Sequence, residues 1–332
     1  MSETNEDLKD VLIKSTDDGL HFEGSILWLD SHRSNGLSFL SSATSQANTE
    51  GPQVIATEET IRLLEANNKK PNALICQYNR PFSIGKLKME LLPSGSILGG
   101  ALLHLEINSK SVLYAPEIQI HKIPTVRQMQ LKKADILIMS AKYPYPKNQL
   151  PSRKKEKERL LAVIDRYMKN GIFPIVQCKN GSAQEITKLL CDNNIPLAVH
   201  TTIHRINRVY ETYNSHLGSY SVFSRKRFKN RVALLPMKEN NNIRKPLPDG
   251  PILYVENSMD DLLNPEDAFR EVDDRFYLSS TSNVKDMREV ISHVEPKELY
   301  LFGPYARQYV RDLKNAAPLV KPLYTNQQPT LF

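Results

Sequence analysis

The segment SFLSSATSQANTE, residues 38 to 50, lies at the end of a short apolar strand, and it decides how the rest of the chain is interpreted. Its apolar residues Phe39 and Leu40 run directly into a series of small hydroxyl and amide side chains. None of these side chains binds a metal ion tightly, titrates near neutral pH or acts as an activated nucleophile. We interpret the segment as a catalytic site that has lost its functional groups.

The composition is typical of a globular protein inside the cell. The chain has 332 residues, of which 40% are hydrophobic, enough for one large α/β domain or two domains that share an interface. No apolar run approaches the roughly 20 residues that span a bilayer, and the acidic N-terminal MSETNEDLKD lacks the features of a secretory signal. We therefore expect no membrane association. The widely spaced Cys76, Cys178 and Cys191 are expected to be reduced thiols in the core.

The formal net charge of +7 is concentrated in two basic clusters. The first, residues 153–159, is interleaved with Glu156 and Glu158, which favours a solvated helix face. The second contains no acidic residue and consists of Arg225, Lys226, Arg227, Lys229 and Arg231. Because it follows several tyrosines and includes Phe228, it has the mixture of charge and aromatic rings that binds nucleic acid. A loop that is merely soluble is the equal alternative for this second cluster.

The hydrophobic pattern predicts an α/β protein. Strands are predicted at 53–56, 86–92, 101–107, 111–115 and 134–140, with a helix at 58–67 capped by Thr57. From residue 153 onward helices alternate with the strands FPIVQ and IPLAV, the rhythm of a parallel sheet. The strands PILYV, RFYLSS and ELYLF and two further helices follow the polar loop 237–251.

Eight local phrases carry a family resemblance in the right order. They are LDSHRSNGLSFLSSATSQAN (29–48), IATEETIRLL (55–64), PSGSILGGA (93–101), VLYAPE (112–117), ADILIMSAKY (134–143), GSAQEITKLL (181–190), SSTSNVKDM (279–287) and LYLFGP (299–304). Together they resemble the metallo-β-lactamase fold with a β-CASP insertion, and above all the DNA-ligase-associated exonuclease group.

The resemblance implies a fold and a division into domains. It implies an α/β fold, a metallo-β-lactamase αββα sandwich into which a β-CASP-like α/β domain is inserted. The expected divisions are a first part of the sandwich at 1–150, the insertion at 151–272, a closing part at 273–317 and a flexible tail at 318–332.

The residues that hold two metal ions in that family are replaced in this chain. The positions of the first motif are Ser42, Thr44, Gln46 and Ala47, the later positions are Ser96, Glu117, Ser140, Thr281 and Asn283, and the last His falls on Phe302 or Gly303. Only Glu117 retains a ligating group, and one carboxylate among hydroxyls and amides does not assemble a dinuclear zinc site. We expect no catalytic residue, no metal and no other cofactor. His32 is interpreted as a loop histidine, and the pair His200 and His204 as structural or as a nucleic-acid contact.

The chain ends in TNQQPTLF, which resembles the peptides that bind sliding clamps. The resemblance assigns Gln328 to a polar pocket and Leu331 with Phe332 to a hydrophobic pocket of the clamp, either PCNA or the bacterial β-clamp. A tail that packs on its own domain is the alternative.

The sequence therefore predicts a catalytically inactive protein that binds nucleic acid or acts as a scaffold in DNA replication or repair, tethered to a sliding clamp. DNA is the expected nucleic acid, RNA is the alternative, and other replication or repair proteins are expected partners. The expected location is the cytoplasm, with the nucleoid, in a prokaryote and the nucleus in a eukaryote. Two other functions stay open: a noncatalytic subunit of an RNA-processing complex and a nuclease with a rearranged metal site.

Overall fold

The computed structural model describes residues 11, 13–32, 36–50, 53–143, 151–178, 181–224, 230–236, 250–256, 272–278 and 283–323. These residues form a mixed α/β structure that divides into two compact units. The first unit takes its described residues from Met1–His121, Gln128–Lys147 and Val284–Phe332, and the second from Lys122–Arg127 and Asn148–Asn283. The second unit therefore interrupts the first in the sequence.

The elements are numbered in chain order. The strands are β1 (Ile13–Thr16), β2 (Gly19–Phe22), β3 (Leu27–Leu29), β4 (Leu37–Phe39), β5 (Val54–Ala56), β6 (Ala73–Ile75), β7 (Phe82–Ile84), β8 (Leu87–Pro93), β9 (Ala101–Ile107), β10 (Lys110–Ala115), β11 (Ile136–Ser140), β12 (Ile175–Cys178), β13 (Leu197–Val199), β14 (Ser221–Val222), β15 (Val232–Pro236), β16 (Ile252–Glu256), β17 (Asp274–Tyr277), β18 (Glu298–Phe302) and β19 (Leu319–Pro322). The helices are α1 (Glu58–Ala66), α2 (Arg153–Lys169), α3 (Ser182–Asp192), α4 (Thr201–Thr212), α5 (Val284–Val294) and α6 (Ala306–Leu313).

The first unit contains two sheets. One has the order β1-β2-β3-β4-β5-β6, antiparallel from β1 to β3 and parallel from there to β6. The other has the order β19-β18-β11-β10-β9-β8-β7. Its strands are antiparallel from β7 to β10 and parallel from β10 to β19.

The two sheets pack face to face and carry helices on their outer faces. Phe22 and Phe39 of the first sheet share one buried cluster with Leu91 and Tyr114 of the second, because alternate residues along a strand point to the same face. On its other face the first sheet packs against α1, and the second packs against α5 and α6. The layers of the first unit are thus helix, sheet, sheet and helix.

The second unit is built on one sheet whose neighbouring strands are all parallel, in the order β14-β13-β15-β12-β16-β17. Its main core joins Ile164 of α2, Ile186 of α3 and Ile203 of α4 to the buried faces of these strands. The α/β alternation predicted from residue 153 onward is confirmed by this arrangement.

Several local predictions are confirmed. The side chain of Thr57 accepts a hydrogen bond from the Thr60 amide at 3.2 Å and caps α1 as expected. The strands predicted between residues 86 and 115 form an antiparallel ladder. The strand β15 was not predicted, because its short apolar run directly follows the second basic cluster.

Two strands pair on the other side of an expected domain division. The closing part of the sandwich was expected from 273, but β17 pairs with β16 in the sheet of the second unit, since its Phe276 belongs to that core. The tail was expected from 318, but β19 hydrogen-bonds along β18 as an edge strand of the second sheet. Among the described helices, none combines the length and the apolar composition needed to cross a membrane.

Candidate functional site

A cavity of about 1100 Å³ opens in the first unit, and its lining includes several of the residues that the family resemblance assigns to the metal-binding positions. Its walls come from the turn between β1 and β2, the loop 41–46, the segments that follow β10 and β11, and the start of α6. These are connecting segments next to strand ends, which is where binding sites commonly form on a rigid scaffold. The cavity exceeds the roughly 300–1,000 Å³ of a typical small-molecule site.

Asp30 lines the cavity, and its carboxyl accepts hydrogen bonds from several neighbouring residues. Its Oδ1 accepts hydrogen bonds from the Ser41 amide at 2.9 Å and from the Ser45 hydroxyl at 2.8 Å. Its Oδ2 accepts one from the Tyr114 hydroxyl at 3.0 Å. Burial raises the pKa of Asp30, and these three donors act in the opposite direction. Because Asp30 follows the first sheet and Tyr114 belongs to the second, this carboxyl joins the two sheets.

Glu117 is the second carboxyl of the cavity, and hydroxyl groups surround it. The Ser42 hydroxyl lies 3.5 Å from Glu117 Oε2, and Ser96 also hydrogen-bonds this carboxyl. Ser42 in turn contacts the Thr44 hydroxyl at 3.1 Å. Burial raises the pKa of Glu117, the negative charge of Asp30 raises it further, and the Lys142 ammonium opposes the shift.

The structure brings most of the predicted site residues together. Thr44, Gln46, Glu117 and Ser140 line the cavity, while Ser42 and Ser96 reach Glu117 through hydrogen bonds. Phe302 and Gly303, the alternatives for the last position, line it as well. Ala47 differs, since it is buried in the cluster between the first sheet and α1. Asn283 belongs to the second unit, and Thr281 lies outside the described residues.

These donors do not fit the dinuclear zinc centre that the resemblance implies. Zinc prefers imidazole, thiolate and carboxylate ligands, and here Glu117 stands among neutral hydroxyls. Both oxygens of Asp30 already accept hydrogen bonds from the protein. Within the described ranges, no three side chains of the His, Cys, Asp or Glu type lie close enough together to hold a metal ion.

Several cavity residues were not predicted as functional. Lys142 and Arg307 are exposed cations of the lining, and His32 adds an imidazole. His32 Nδ1 donates a hydrogen bond to the Gln46 carbonyl at 3.0 Å, so Nε2 is the hydrogen-bond acceptor of the neutral ring. No sequence pattern indicated Arg307, because it reaches the cavity only through the pairing of β18 with β11.

His200 and His204 each have a structural contact. His200 caps α4, and its Nδ1 accepts a hydrogen bond from the Thr202 amide at 3.3 Å, while burial lowers its pKa. The His204 ring meets the Tyr220 ring edge to face, with 6.1 Å between the ring centroids. These contacts support the structural interpretation of the pair.

Two predicted binding segments are largely or wholly outside the described residues. Of the second basic cluster, Arg225, Lys226, Arg227 and Lys229 are outside, and only Arg231 is described, half-buried just before β15. The clamp-binding residues Gln328, Leu331 and Phe332 are outside as well.

Comparison with known proteins places the chain among distant relatives. No protein-family model matches it. It is 21% identical over 297 residues to a protein named Probable DNA ligase from Opitutus terrae, covering 86% of this chain and 28% of that protein. It is 28% identical over 141 residues to an RNase J-like protein from Methanocaldococcus jannaschii, covering 38% of this chain and 32% of that protein. The matches thus span about a third or less of each relative's length.

One solved structure shows a similar fold. A protein of unknown function from Enterococcus faecalis superimposes with a TM-score of 0.62 at 11% identity, covering 88% of this chain and 79% of that protein. The similarity extends over most of both chains and therefore describes the overall α/β architecture.

Proposed function

We propose that this chain is a metallo-β-lactamase/β-CASP protein that has lost its metal centre and binds nucleic acid without cutting it. The layers of helix, sheet, sheet and helix in the first unit, interrupted by a parallel α/β unit, support the family assignment. The names of the two relatives, Probable DNA ligase and RNase J-like protein, support a role with nucleic acid.

One observation carries the proposal that catalysis is lost. At the position of the metal centre, Glu117 stands with the hydroxyls of Ser42 and Ser96. A two-metal hydrolase needs ligands that hold both ions so that bound water loses a proton near neutral pH. Hydroxyl groups do not supply that binding, and the described cavity contains no alternative cluster.

Elemental analysis and a nuclease assay test this part of the proposal. We expect well under about 0.2 equivalents of zinc or manganese per chain, because one carboxylate binds a divalent ion weakly. We also expect no cleavage of single- or double-stranded DNA or RNA when zinc, manganese or magnesium is added. About two equivalents of metal, or a cleavage activity that Glu117→Ala abolishes, would show that the protein is a nuclease with a rearranged site.

The second basic cluster is the proposed nucleic-acid surface. A surface that neutralises phosphates gives binding that falls linearly on a plot of log affinity against log salt. Replacing Arg225, Arg227 and Lys229 by Gln should flatten this slope by about 2–3. The matched control removes three exposed charges of the first unit, Lys69, Lys70 and Lys86, and should leave the slope unchanged. Equal slopes for both triple variants would leave the second cluster with a role in solubility alone.

The choice between DNA and RNA separates two candidate functions. The match to the relative named as a DNA ligase extends over 86% of this chain, which favours DNA. The RNase J-like match favours the alternative, a noncatalytic subunit of an RNA-processing complex. Competition between DNA and RNA of the same sequence at the same salt concentration distinguishes them.

The C-terminal QPTLF is the proposed tether to a sliding clamp. Leu331 and Phe332 would fill a hydrophobic pocket of the clamp and Gln328 a polar one, with an affinity in the micromolar range, about 8 kcal/mol. Titration of the host's clamp with the full chain and with a version that ends at Gln327 tests this. Equal affinities for the two versions, or no binding by either, would remove the clamp from the proposal.

A further inference from the structure

At one side of the first unit, β6 and β7 are the outermost strands of its two sheets. Leu74 of β6 and Phe82 and Ile84 of β7 pack, partly buried, against the core between the sheets. Neither strand contains a charged residue. The strands at the opposite ends of the same sheets, β1 and β19, contain Lys14 and Lys321. Charged side chains on an edge strand hinder its pairing with other chains, and β6 and β7 lack this protection.

The strand β6 presents a backbone edge with hydrogen-bonding groups. The Cys76 amide donates a hydrogen bond to the Ala56 carbonyl of β5 at 2.9 Å, and the Asn72 carbonyl accepts one from β5 at 2.8 Å. Because the backbone groups of alternate residues point to opposite sides of a strand, those of Ala73 and Ile75 point away from β5. No strand among the described residues pairs with this edge. The N–H and C=O groups of Ala73 and Ile75 therefore suit an added strand.

Ile75 adds an exposed apolar side chain to this edge. It is 50% exposed, although isoleucine is among the residue types that are most often buried. It lies on the same face of β6 as Ala73, which packs, partly buried, against the cluster between the first sheet and α1. A strand that hydrogen-bonds to β6 would place its own side chains beside Ile75 and cover this apolar surface.

The segment that contains β6 and β7 is basic. Residues 67–89 contain no aspartate or glutamate, and their charged residues are Lys69, Lys70, Arg80, Lys86 and Lys88. Lys88 has an ion-pair partner, whereas the other cations of the segment are exposed and have none among the described residues. On α1, which packs beside β6, the exposed Glu58 and Glu65 both lie within ion-pair distance of Arg62. The surface beside β6 therefore carries an excess of positive charge.

The charge of this surface selects its partner. A second copy of the chain paired at β6 would bring identical cations close together, which disfavours that pairing. We propose that β6 is a docking edge for an extended acidic segment of a partner protein, which adds to the first sheet as a further strand. Its backbone pairs with Ala73 and Ile75, its apolar side chains cover Ile75, and its carboxylates face Lys69 and Lys70. The docking edge does not depend on the nucleic-acid role proposed above.

A phage-displayed library of random linear peptides, selected against the full chain, supplies the probe. We expect the selected peptides to alternate β-branched and acidic residues, and their binding to slow amide hydrogen exchange at Ala73 and Ile75. Ile75→Glu should weaken this binding about tenfold in fluorescence anisotropy, because it removes the apolar contact and repels carboxylates. Lys69→Gln combined with Lys70→Gln should weaken it about threefold and reduce its dependence on salt.

The matched control is Val222→Glu, which changes a 46% exposed residue of β14, an edge strand of the second unit, and should leave peptide binding unchanged. Selected peptides without an excess of acidic residues, equal binding by Ile75→Glu, or unchanged exchange at Ala73 and Ile75 would overturn the proposal. Self-association of the chain that Ile75→Glu abolishes would show a second copy at this edge and overturn it as well. A flatter salt slope of nucleic-acid binding in the double lysine variant would assign the surface to nucleic acid instead.

Discussion

Replacing Asp30 tests the hydrogen bonds that join the two sheets of the first unit. In Asp30→Ala, the amide of the buried Ser41 and the hydroxyl of the fully buried Tyr114 lose their acceptor. Each unsatisfied buried donor costs about 1–3 kcal/mol, so the free energy of unfolding should fall by about 2–6 kcal/mol. Asp30 has a φ of +46°, and alanine in this conformation adds about 1 kcal/mol. Removal of a carboxyl that is itself costly to bury offsets part of the loss.

Asp30→Asn is the matched variant. Asparagine tolerates the positive φ and keeps an oxygen for the Ser41 amide and the Ser45 hydroxyl. Its amide group replaces the oxygen that faces Tyr114 and donates to the phenol oxygen instead. We therefore expect less than half of the loss seen with alanine.

Urea unfolding followed by the fluorescence of Trp28 provides the measurement. This is the single tryptophan of the chain, and it lies in β3, two residues before Asp30, so it reports on the first unit. With an m-value of about 3 kcal/mol/M, the alanine variant should unfold at a urea concentration lower by about 0.7–2 M. An unchanged midpoint for alanine, or equal losses for alanine and asparagine, would refute the assignment of Asp30 as the link between the sheets.

Three further outcomes are expected. Gly99→Ala should sharply reduce the soluble yield or the melting temperature measured by circular dichroism, because its Cβ would lie 2.4 Å from the Thr60 amide nitrogen. The control Gly24→Ala has a similar φ and open space around the new Cβ, so it should show only the smaller effect of backbone strain. Lys297 and Ser111 lower the pKa of Asp135, so its carboxylate stabilises the folded state above the ordinary pKa of 3.8, and this stabilisation is lost as the pH falls. Asp135→Asn should therefore lower the free energy of unfolding in urea by about 1 kcal/mol at pH 7 and by less at pH 3. Arg159 donates hydrogen bonds to Asp274 at 2.8 Å and to Glu156. Arg159→Lys removes the planar fork of the guanidinium and should speed amide hydrogen exchange in β17, whereas Lys155→Arg on the exposed face of α2 should leave this exchange unchanged.

Local features of the fold were predictable because they depend on residues close in the sequence. The cap of α1 needs only Thr57 and the turn that follows it. The antiparallel ladder from β8 to β10 follows from consecutive strands joined by short connections. The segment RFYLSS was correctly predicted as a strand, but its sheet depends on a partner in β16, which a pattern within one strand does not specify.

The site was predictable only where the resemblance supplied the long-range contacts. The phrases around Ser42, Ser96 and Glu117 indicated one location, and the structure brings these residues together. Asp30 was not singled out, because its importance comes from Tyr114, which is distant in sequence. Lys142 and Arg307 likewise line one cavity only because β18 lies beside β11. Hydroxyl groups also carry little signal in a sequence, since serine and threonine are common in ordinary loops.

The pairing of β11 with β18 sets an order for folding during synthesis. The two strands lie on either side of the segment that forms the second unit, so the second sheet of the first unit stays incomplete until the ribosome has passed β18. The second unit is encoded almost continuously, and domains generally fold as units as they emerge. Until β18 has been synthesised, the edge of β11 is open to pairing with other chains. Translational pausing or chaperone binding in this interval should therefore influence yield more than it influences the stability of the finished protein.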